Sequence, residues 1–427
     1  MSSSIGTRLT LSIFGQSHSD AIGCVLDGFP AGFTPNFEAL TQFMQRRAPG
    51  FASFATPRKE ADSVHFVSGF SAQGTSCGAP ICGIIQNTNT RSGDYATLSH
   101  ILRPGHSDYA AWRRYHGFQD ISGGGHFSGR LTAGICIAGG LAKQYLQAHG
   151  VRVMAHVASI GTIHDDTFAF ADRSKHGRSV LKAQLQTLEE RTCAHPHELC
   201  TINADAAQAM SAYIDDARRD ADSVGGTIEC VCTGVPAGIG SGMFGGLENK
   251  LACALFGIPA VKAVEFGEGF GACLMRGSEH NDQMTYAADT SDATDATDAT
   301  DATDATNAAA ANAHDTSTCE NNTNPQADAE RWRRRSDAHA RDVIFETNHA
   351  GGVLGGISTG EPVFVRVGIK PTPSIGHVQQ SVDIATKQPA LLRISGRHDP
   401  CIVPRACVVV EAMCAFTIMD MLLDEQQ

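Results

Sequence analysis

Two distant segments of the chain repeat one pattern of apolar and turn residues. Residues 22–33 and 228–239 are identical at seven of twelve aligned positions, and each reads as a strand closed by a Gly-x-Pro-Ala-Gly turn. Shorter matches follow in the same order, at Ser76 and Ser358 and then at Arg103 and Arg397. A repeat of such long period indicates a duplication. It restricts the fold to two similar halves, 1–150 and 221–427, with a cleft between them.

The hydrophobic periodicity mixes both kinds of secondary structure, which predicts the α+β class. Strands are predicted at 8–14, 22–26, 64–68, 79–86, 226–233, 263–266 and 363–369. Helices are predicted at 34–47, 131–147, 203–220, 246–256 and 404–423. We expect one domain over residues 1–427, interrupted by a disordered, acidic, low-complexity insertion at 283–340. The Asp-Ala-Thr repeats of this insertion cannot bury enough apolar area to offset chain entropy.

Charge and composition narrow the functional classes. The formal net charge is −12, and six acidic side chains of the Asp-Ala-Thr tract supply part of it. An acidic chain of this kind argues against nucleic acid as the main partner. No apolar run is expected to span a membrane, and the N-terminus lacks the shape of a signal peptide. The fourteen cysteines lie singly in apolar runs, as reduced core cysteines do. The expectation is therefore a soluble cytoplasmic protein.

The segment from Arg103 to Arg130 combines four arginines and three histidines with the glycine run 123–125. Glycines let backbone N–H groups turn inward, arginine forks bind phosphate or carboxylate oxygens, and histidine moves protons near neutral pH. A predicted helix follows directly, so the segment has the form of an anion site. A glycine-rich surface turn with scattered charges is the alternative for this segment alone.

Two further basic segments favour the anion site. Arg46 and Arg47 end a predicted helix, and residues 396–400 read Gly-Arg-His-Asp-Pro. Three such segments, each beside Gly or Pro turns, predict a small substrate with several negative groups. His18 and His106 follow polar or glycine turns and are the candidates for proton transfer. Arg397 would keep Asp399 ionised, so that it could act as a base.

A metal site is the competing interpretation. Cys193, His195, His197 and Cys200 supply four potential zinc ligands within eight residues, although their spacing is not that of a finger or ribbon. The rival hypothesis is thus a non-catalytic, zinc-stabilised binding protein. Neither a phosphate-binding Gly-x-x-x-x-Gly-Lys-Ser/Thr loop nor a dinucleotide fingerprint is present. Our leading interpretation has no metal ligands.

Ten ordered motifs resemble the chorismate synthase family. They are residues 14–18, 27–32, 46–50, 103–108, 123–125, 260–262, 277–282, 351–358, 370–374 and 396–400. The resemblance implies a β-α-β sandwich with an internal pseudo-two-fold repeat, assembled as a homotetramer. Some positions depart from the commonest family form, among them Gln16, Ser19, residues 126–129 and Pro259.

The resemblance also implies an activity in the shikimate pathway of aromatic amino acid biosynthesis. The expected reaction is the anti-1,4-elimination of phosphate from 5-enolpyruvylshikimate-3-phosphate, giving chorismate. The family needs reduced FMN although the reaction has no net redox change, and NADPH is the candidate reductant. We therefore expect a lyase that has neither nucleic acid nor a membrane as a partner.

The family's functional residues carry over by motif. His18, with Ser17 beside it, would handle the proton on the flavin, His106 would assist phosphate departure, and Asp399 would be the base. The substrate's phosphate and carboxylates would be held by Arg46, Arg47, Arg130 and Arg397. The flavin contacts would be Ser128, Ala260, Gly355, Lys370, Pro371, Thr372, Pro373, Ser374 and Arg397.

Overall fold

The chain folds into three layers, two antiparallel sheets with helices between them. A computed structural model describes residues 3–48, 62–87, 100–286, 343–394 and 399–425. The strands are β1 (Ser4–Ile5), β2 (Thr10–Gly15), β3 (Ala21–Asp27), β4 (His65–Ser68), β5 (Ile81–Gln86), β6 (Arg152–Ile160), β7 (Ile163–His164), β8 (Gly226–Thr233), β9 (Val261–Phe266), β10 (Met284–Tyr286), β11 (Val343–Phe345), β12 (Val353–Leu354), β13 (Ile357–Ser358), β14 (Val363–Ile369), β15 (Gln379–Asp383) and β16 (Gln388–Leu392).

The helices include two long central ones. In chain order they are α1 (Phe37–Arg47), α2 (Asp108–Arg114), α3 (Thr132–Ala148), α4 (Lys175–Ala194), α5 (Ala204–Arg219), α6 (Leu247–Phe256), α7 (Gly277–His280) and α8 (Val403–Asp424). Short 3₁₀ turns at Gly125–Phe127 and Gly129–Leu131 lead into α3. All twelve predicted elements are confirmed, with ends within three residues of those expected.

The first sheet has the strand order β1-β2-β3-β5-β4. Its central pair, β3 and β5, places Ile22 opposite Ile85 and Leu26 opposite Ile81. These side chains are buried, because α3 packs on this face of β2 and β3. The approach is close, since a Cβ on Gly134 of α3 would lie 3.1 Å from the carbonyl oxygen of Gly23. Small residues at this contact let the helix pack directly against the sheet.

The second sheet has the order β7-β6-β8-β14-β9 and packs on the other side of the helices. Strand β8 is its centre, paired with β14 through Cys230 and Val365 and with β6 through Met154 and Val231. Helix α8 covers one face of β6 and β8, while α4 and α5 also contact β6, so most residues of both strands are buried.

The middle layer centres on α3 and α8, which cross in close contact. A Cβ on Gly139 would overlap Ala412, so glycine is required at this crossing. Helix α8 is long and apolar enough to cross a bilayer, contrary to the expectation that no run has that character. Its apolar window is 94% buried inside the protein, which makes it the central core helix.

The predicted α+β class is confirmed by these mixed layers of helix and sheet. The predicted insertion at 283–340 lies mostly outside the described residues. Its first residues are described, and Met284–Tyr286 pair as a strand with Val343–Phe345.

Candidate active site

The glycine run packs directly against the loop that carries His18. The backbone N–H of Ser17 donates to the carbonyl oxygen of Gly125 at 3.0 Å, and Ser17 is buried. Gly123 has a φ of +68°, and a Cβ there would lie 2.5 Å from His18 Cε1 and 2.8 Å from Ser17 Oγ. Only glycine permits both this backbone conformation and this closeness. The run therefore positions the first candidate histidine.

The second candidate, His106, is oriented by a carboxylate. His106 Nδ1 lies 2.5 Å from Asp108 Oδ1, and Arg103 donates to both carboxylate oxygens at 2.7 Å. Burial acts to raise the pKa of Asp108, but the hydrogen bonds from His106 and Arg103 hold that pKa below its ordinary value. An ionised Asp108 accepts a hydrogen bond from Nδ1–H, while Nε2 is directed at Gly124, where a Cβ would be 3.5 Å away. This geometry suits proton transfer through Nε2.

The predicted cofactor loop meets the same histidine segment. Lys370 Nζ donates to the carbonyl oxygen of Gly105 at 2.5 Å, and a Cβ on Gly105 would lie 3.4 Å from Pro373. Lys370 also donates its backbone N–H to Ala260, which holds a φ of +72°. Lys370 and Pro373 therefore lie beside Gly105, next to His106, and Ala260 supports the start of their loop.

A buried ion cluster joins two of the predicted substrate arginines. Arg47, at the end of α1, donates to Asp62 through Nε at 3.0 Å and through Nη2. Arg130, just before α3, donates to the other oxygen of the same carboxylate. All three side chains are buried. Burial acts to raise the pKa of Asp62, but the guanidiniums of Arg47 and Arg130 lower it below its usual value.

Asp399, which precedes α8, connects to this cluster through Arg405 of that helix. Its carboxylate accepts from Arg405 Nη1 at 2.6 Å, and Arg405 Nε donates to the backbone oxygen of Arg47 at 3.0 Å. The expected partner of Asp399 was Arg397, which lies outside the described residues. Through Arg405, the candidate base is tied to the arginine pair.

Asn87 connects the arginine pair to the His18 loop. Arg130 Nε donates to Asn87 Oδ1 at 3.1 Å, and Asn87 Nδ2 donates to the Ser19 carbonyl at 2.7 Å. Contacts thus run without a break from Asp399 through the arginines to the loop of Ser17 and His18. From there they continue through the glycine run, since Arg103 Nη1 donates to the carbonyl of Gly123 at 3.3 Å.

Arg46 lies apart from this network. Its guanidinium forms a two-pronged ion pair with Glu411 of α8, at 3.1 and 2.9 Å. Lys143 of α3 contacts the same buried carboxylate. Neighbours on a helix point about 100° apart, so Arg46 and Arg47 enter different surroundings.

Of two other predicted flavin contacts, Gly355 is in a separate hairpin, and the Ser128 side chain accepts a hydrogen bond from the backbone. Gly355 is at the tip of the β12–β13 hairpin. A Cβ on Gly242 would lie 4.0 Å from the carbonyl oxygen of Gly355. Ser128 caps the 3₁₀ turn before α3 by accepting from the Arg130 N–H at 3.2 Å. Its Cβ also lies near Gly124, on the side of His106.

The chemistry of this region suits a flat cofactor bearing a phosphate. Gly124, with a φ of +150°, brings the backbone into contact with His106 and Ser128, and Lys370 supplies a cation. Among the described residues, Thr372 Oγ1 is buried without a hydrogen-bond partner. A buried hydroxyl of this kind calls for a ligand atom. The residues present therefore fit the cofactor that the resemblance implies.

The zinc alternative finds no support. Within the described parts of the chain, which include residues 193–200, no group of three or more His, Cys, Asp or Glu side chains could hold a metal ion. Cys193 is exposed, whereas Cys200 is buried and donates to the Ala155 carbonyl at 3.3 Å.

Sequence reasoning missed Asp62 as a site residue and left Asp108, Arg405 and Asn87 without roles. Asp62 lies in a loop without apolar periodicity, and its partners are distant in sequence. The one available signal was that two predicted substrate arginines would need a buried counter-charge. Asp108 could have been found, because a carboxylate two residues from a candidate histidine is a frequent orienting partner.

The fold and the site together define an enzyme for a multiply anionic substrate, with a place for a flat cofactor. The family model described as chorismate synthase matches residues 9–423. A chorismate synthase of Lancefieldella parvula is 40% identical over 99% of this chain and 96% of that protein. One of Korarchaeum cryptofilum is 36% identical over 97% of this chain and 96% of that protein. A crystal structure of a chorismate synthase shares the fold, with a TM-score of 0.65 and 21% identity over 99% of this chain and 93% of that one.

The chain belongs to the chorismate synthase family. Enzymes of this family are lyases of aromatic amino acid biosynthesis, and reduced FMN is characteristic of them. The family expected from the ten motifs is thereby confirmed.

Proposed function

We propose that the chain eliminates phosphate from 5-enolpyruvylshikimate-3-phosphate in a 1,4 sense, with reduced FMN, and forms chorismate. The observation that carries this proposal is the continuous network from Asp399 through Arg47, Asp62 and Arg130 to the histidine loops. It gathers cations for a phosphate and two carboxylates around two histidines and a carboxylate. A solvated arginine surface would lack such buried connections.

His106 assists departure of the phosphate. In the doubly protonated ring, Nδ1–H donates to Asp108 and Nε2–H contacts the leaving oxygen; Nε2 gives its proton to that oxygen, which leaves His106 as the neutral imidazole. Arg103 keeps Asp108 in place by a two-pronged contact. Reduced FMN, when bound, supplies the transient electron that no side chain of the protein can provide.

The remaining roles are those that the family resemblance implies. Arg47 and Arg130 hold anionic groups of the substrate, with Arg397 and Arg46 completing the proposed set. The buried contacts of Arg46 with Glu411 favour a supporting role for that residue. His18, with Ser17, handles the proton on the flavin, and Asp399 accepts the ring proton. Ser128, Ala260, Gly355, Arg397 and residues 370–374 would contact the flavin.

Anaerobic turnover tests the proposal. Protein supplied with dithionite-reduced FMN and 5-enolpyruvylshikimate-3-phosphate should release inorganic phosphate and chorismate in equal amounts. His106→Ala should lower kcat by about 10²–10⁴-fold with unchanged circular dichroism. His195→Ala, in an exposed loop, is the matched control and should keep wild-type turnover. No phosphate release by the wild-type protein, or normal turnover by His106→Ala, would contradict the proposal.

The reductant and the assembly are further parts of the proposal. NADPH would reduce the flavin, and anaerobic turnover with NADPH as the sole reductant tests this. The protein would be a cytoplasmic homotetramer. Association of subunits is supported by large apolar side chains that the described residues leave exposed. These include Met243, Phe244, Phe270 and Leu274, each at least 80% exposed. Sedimentation at micromolar concentration measures the subunit number.

We propose that the two halves are products of a duplication. The orders β2-β3-β5-β4 and β6-β8-β14-β9 correspond, with α1 and α6, and then α3 and α8, at equivalent places. Strand β6 (Arg152–Ile160) precedes the expected start of the second half at 221, so that half would begin with β6. Matching turns also use the same hydrogen bonds. Ser76 Oγ donates to the Pro30 carbonyl at 2.7 Å, and Ser358 Oγ donates to that of Pro236 at 2.6 Å. Superposition of the halves would contradict this relation if the equivalent strands did not coincide.

A further inference from the structure

Asp62 occupies the space between two arginines that an anionic ligand would need. Its Oδ2 accepts from Nε and Nη2 of Arg47, and its Oδ1 accepts from Nη1 of Arg130. The carboxylate is fully buried, and the two arginines are only 1% and 6% exposed. The pair is therefore already neutralised in part by a group of the protein.

This arrangement sets a condition for ligand binding. Two neighbouring guanidiniums repel each other and need a counter-charge when buried. The three side chains together carry a net charge of +1, since two cations face one anion. The carboxylate uses Nε and Nη2 of Arg47 and Nη1 of Arg130, so a phosphate bound by the pair would share the positive charge of both guanidiniums with Asp62. Asp62 and phosphate thus compete as counter-ions for the same two cations.

We propose that Asp62 is an internal competitor of phosphate for Arg47 and Arg130, which weakens retention of the phosphate released in the reaction. The inference rests on the proposed function, in which these arginines hold the substrate's phosphate. Without a competing carboxylate, a dianionic phosphate would be the best available counter-ion for the buried pair. Substrate binding is less affected, because its carboxylates and ring make further contacts that free phosphate cannot make.

Contacts of Arg47 and Arg130 connect the arginine pair to the active site, so competition between Asp62 and phosphate would affect that site. Arg130 Nε donates to Asn87 Oδ1 at 3.1 Å, and Asn87 Nδ2 donates to the Ser19 carbonyl, next to His18. Arg47 Nη1 lies 3.5 Å from Thr132 Oγ1, at the start of α3. Both arginines are therefore held from a second side and stay in place when Asp62 gives up a hydrogen bond.

Asp62→Asn tests the competition, with inorganic phosphate as the probe. The substitution keeps the shape and raises the net charge of the three groups from +1 to +2. The inhibition constant for phosphate should fall about tenfold in anaerobic turnover, and kcat should fall with it because product leaves slowly. Phosphate should also raise the Tm of Asp62→Asn more than that of the wild type, relative to chloride at equal ionic strength.

Glu411→Gln is the matched control. Glu411 is likewise a buried carboxylate between two cations, Arg46 and Lys143, but it lies outside the cluster of Asp62. Its substitution should lower stability without changing inhibition by phosphate. If Asp62 had a merely structural role, Asp62→Asn would likewise lower stability without changing inhibition by phosphate. An unchanged or raised inhibition constant in Asp62→Asn would therefore overturn the proposal.

Asn87→Asp provides an independent arm if Asp62→Asn does not fold. It adds a second carboxylate against the Arg130 guanidinium, so the inhibition constant for phosphate should rise several-fold, and an unchanged value would overturn the proposal. Arg130→Lys separates this failure from failure of the proposed function. If Arg130→Lys binds substrate and phosphate as the wild type does, the assignment of the arginine itself is wrong. If it weakens both while Asp62→Asn binds phosphate normally, only the competition fails.

Discussion

Replacing Gly123 with alanine should remove activity by displacing His18. A Cβ at this position would lie 2.5 Å from His18 Cε1, 2.7 Å from His18 Nδ1 and 2.8 Å from Ser17 Oγ. Ordinary van der Waals contact begins at 3.4 Å, so the imidazole must withdraw by about 0.9 Å (3.4 − 2.5). A displacement of about 1 Å of a reacting group lowers the rate by about 10²-fold.

The effect on stability should be smaller than the effect on activity. Gly123 has a φ of +68°, where alanine costs about 1–2 kcal/mol. The free energy of unfolding in urea should therefore fall by about that amount, while kcat falls by about 10²-fold in anaerobic phosphate release. Gly129→Ala is the matched control in the same segment. A Cβ there meets nothing within 4 Å, so its kcat should stay within about twofold of the wild type.

A double variant identifies the cause of the loss. If Gly123→Ala acts by moving His18, adding it to His18→Ala should lower kcat no further. Two results would refute the reasoning. One is more than half of the wild-type kcat in Gly123→Ala, and the other is an equal loss in Gly129→Ala, which would implicate the backbone of the whole segment.

Two other predictions concern a carboxylate and a buried histidine. Asp108→Asn should lower kcat by about 10²-fold, because His106 loses the acceptor that orients it; unchanged kcat would contradict this. Burial acts to lower the pKa of His156, but hydrogen bonds to Asp165 and Glu229 raise it to about 9. A pKa raised above the unfolded value of about 6.5 gives stability that is full below pH 6.5 and lost as pH rises through 9. The Tm should accordingly fall between pH 7 and 10, and His156→Gln, if folded, should flatten that decline.

Local patterns predicted most of the scaffold. Residues 363–369 place Val363, Val365, Val367 and Ile369 at every second position and form β14, and the capped, amphipathic run around Leu40 forms α1. Strand β6 was missed because Arg152, His156 and Ser159 interrupt its apolar run. His156 is accommodated in the core by two carboxylates from other parts of the chain, which no local pattern reveals.

The site was predictable where the residue types themselves carry the chemistry. The glycine run and the two histidines lie together as expected, because glycine is required wherever a backbone approaches a side chain so closely. The pairing of charges was not predictable. Asp62 contacts arginines from two other elements, and only tertiary packing brings those three side chains together.

Arg46 and Arg47 show how the packing assigns different tasks to identical neighbours. Helix α1 ends against α8, and the turn of about 100° per residue directs Arg46 towards the buried Glu411 and Arg47 towards Asp62. Glu411 also contacts Lys143, so one carboxylate is surrounded by two cations, whereas Asp62 faces the guanidiniums of Arg47 and Arg130. Both clusters carry a net charge of +1, but only the second connects to the histidine loops through Asn87. Among the described residues, the net positive charge around Glu411 has no connection to the site and only destabilises the core. The same net charge around Asp62 lies next to the histidine loops, where it attracts an anionic substrate.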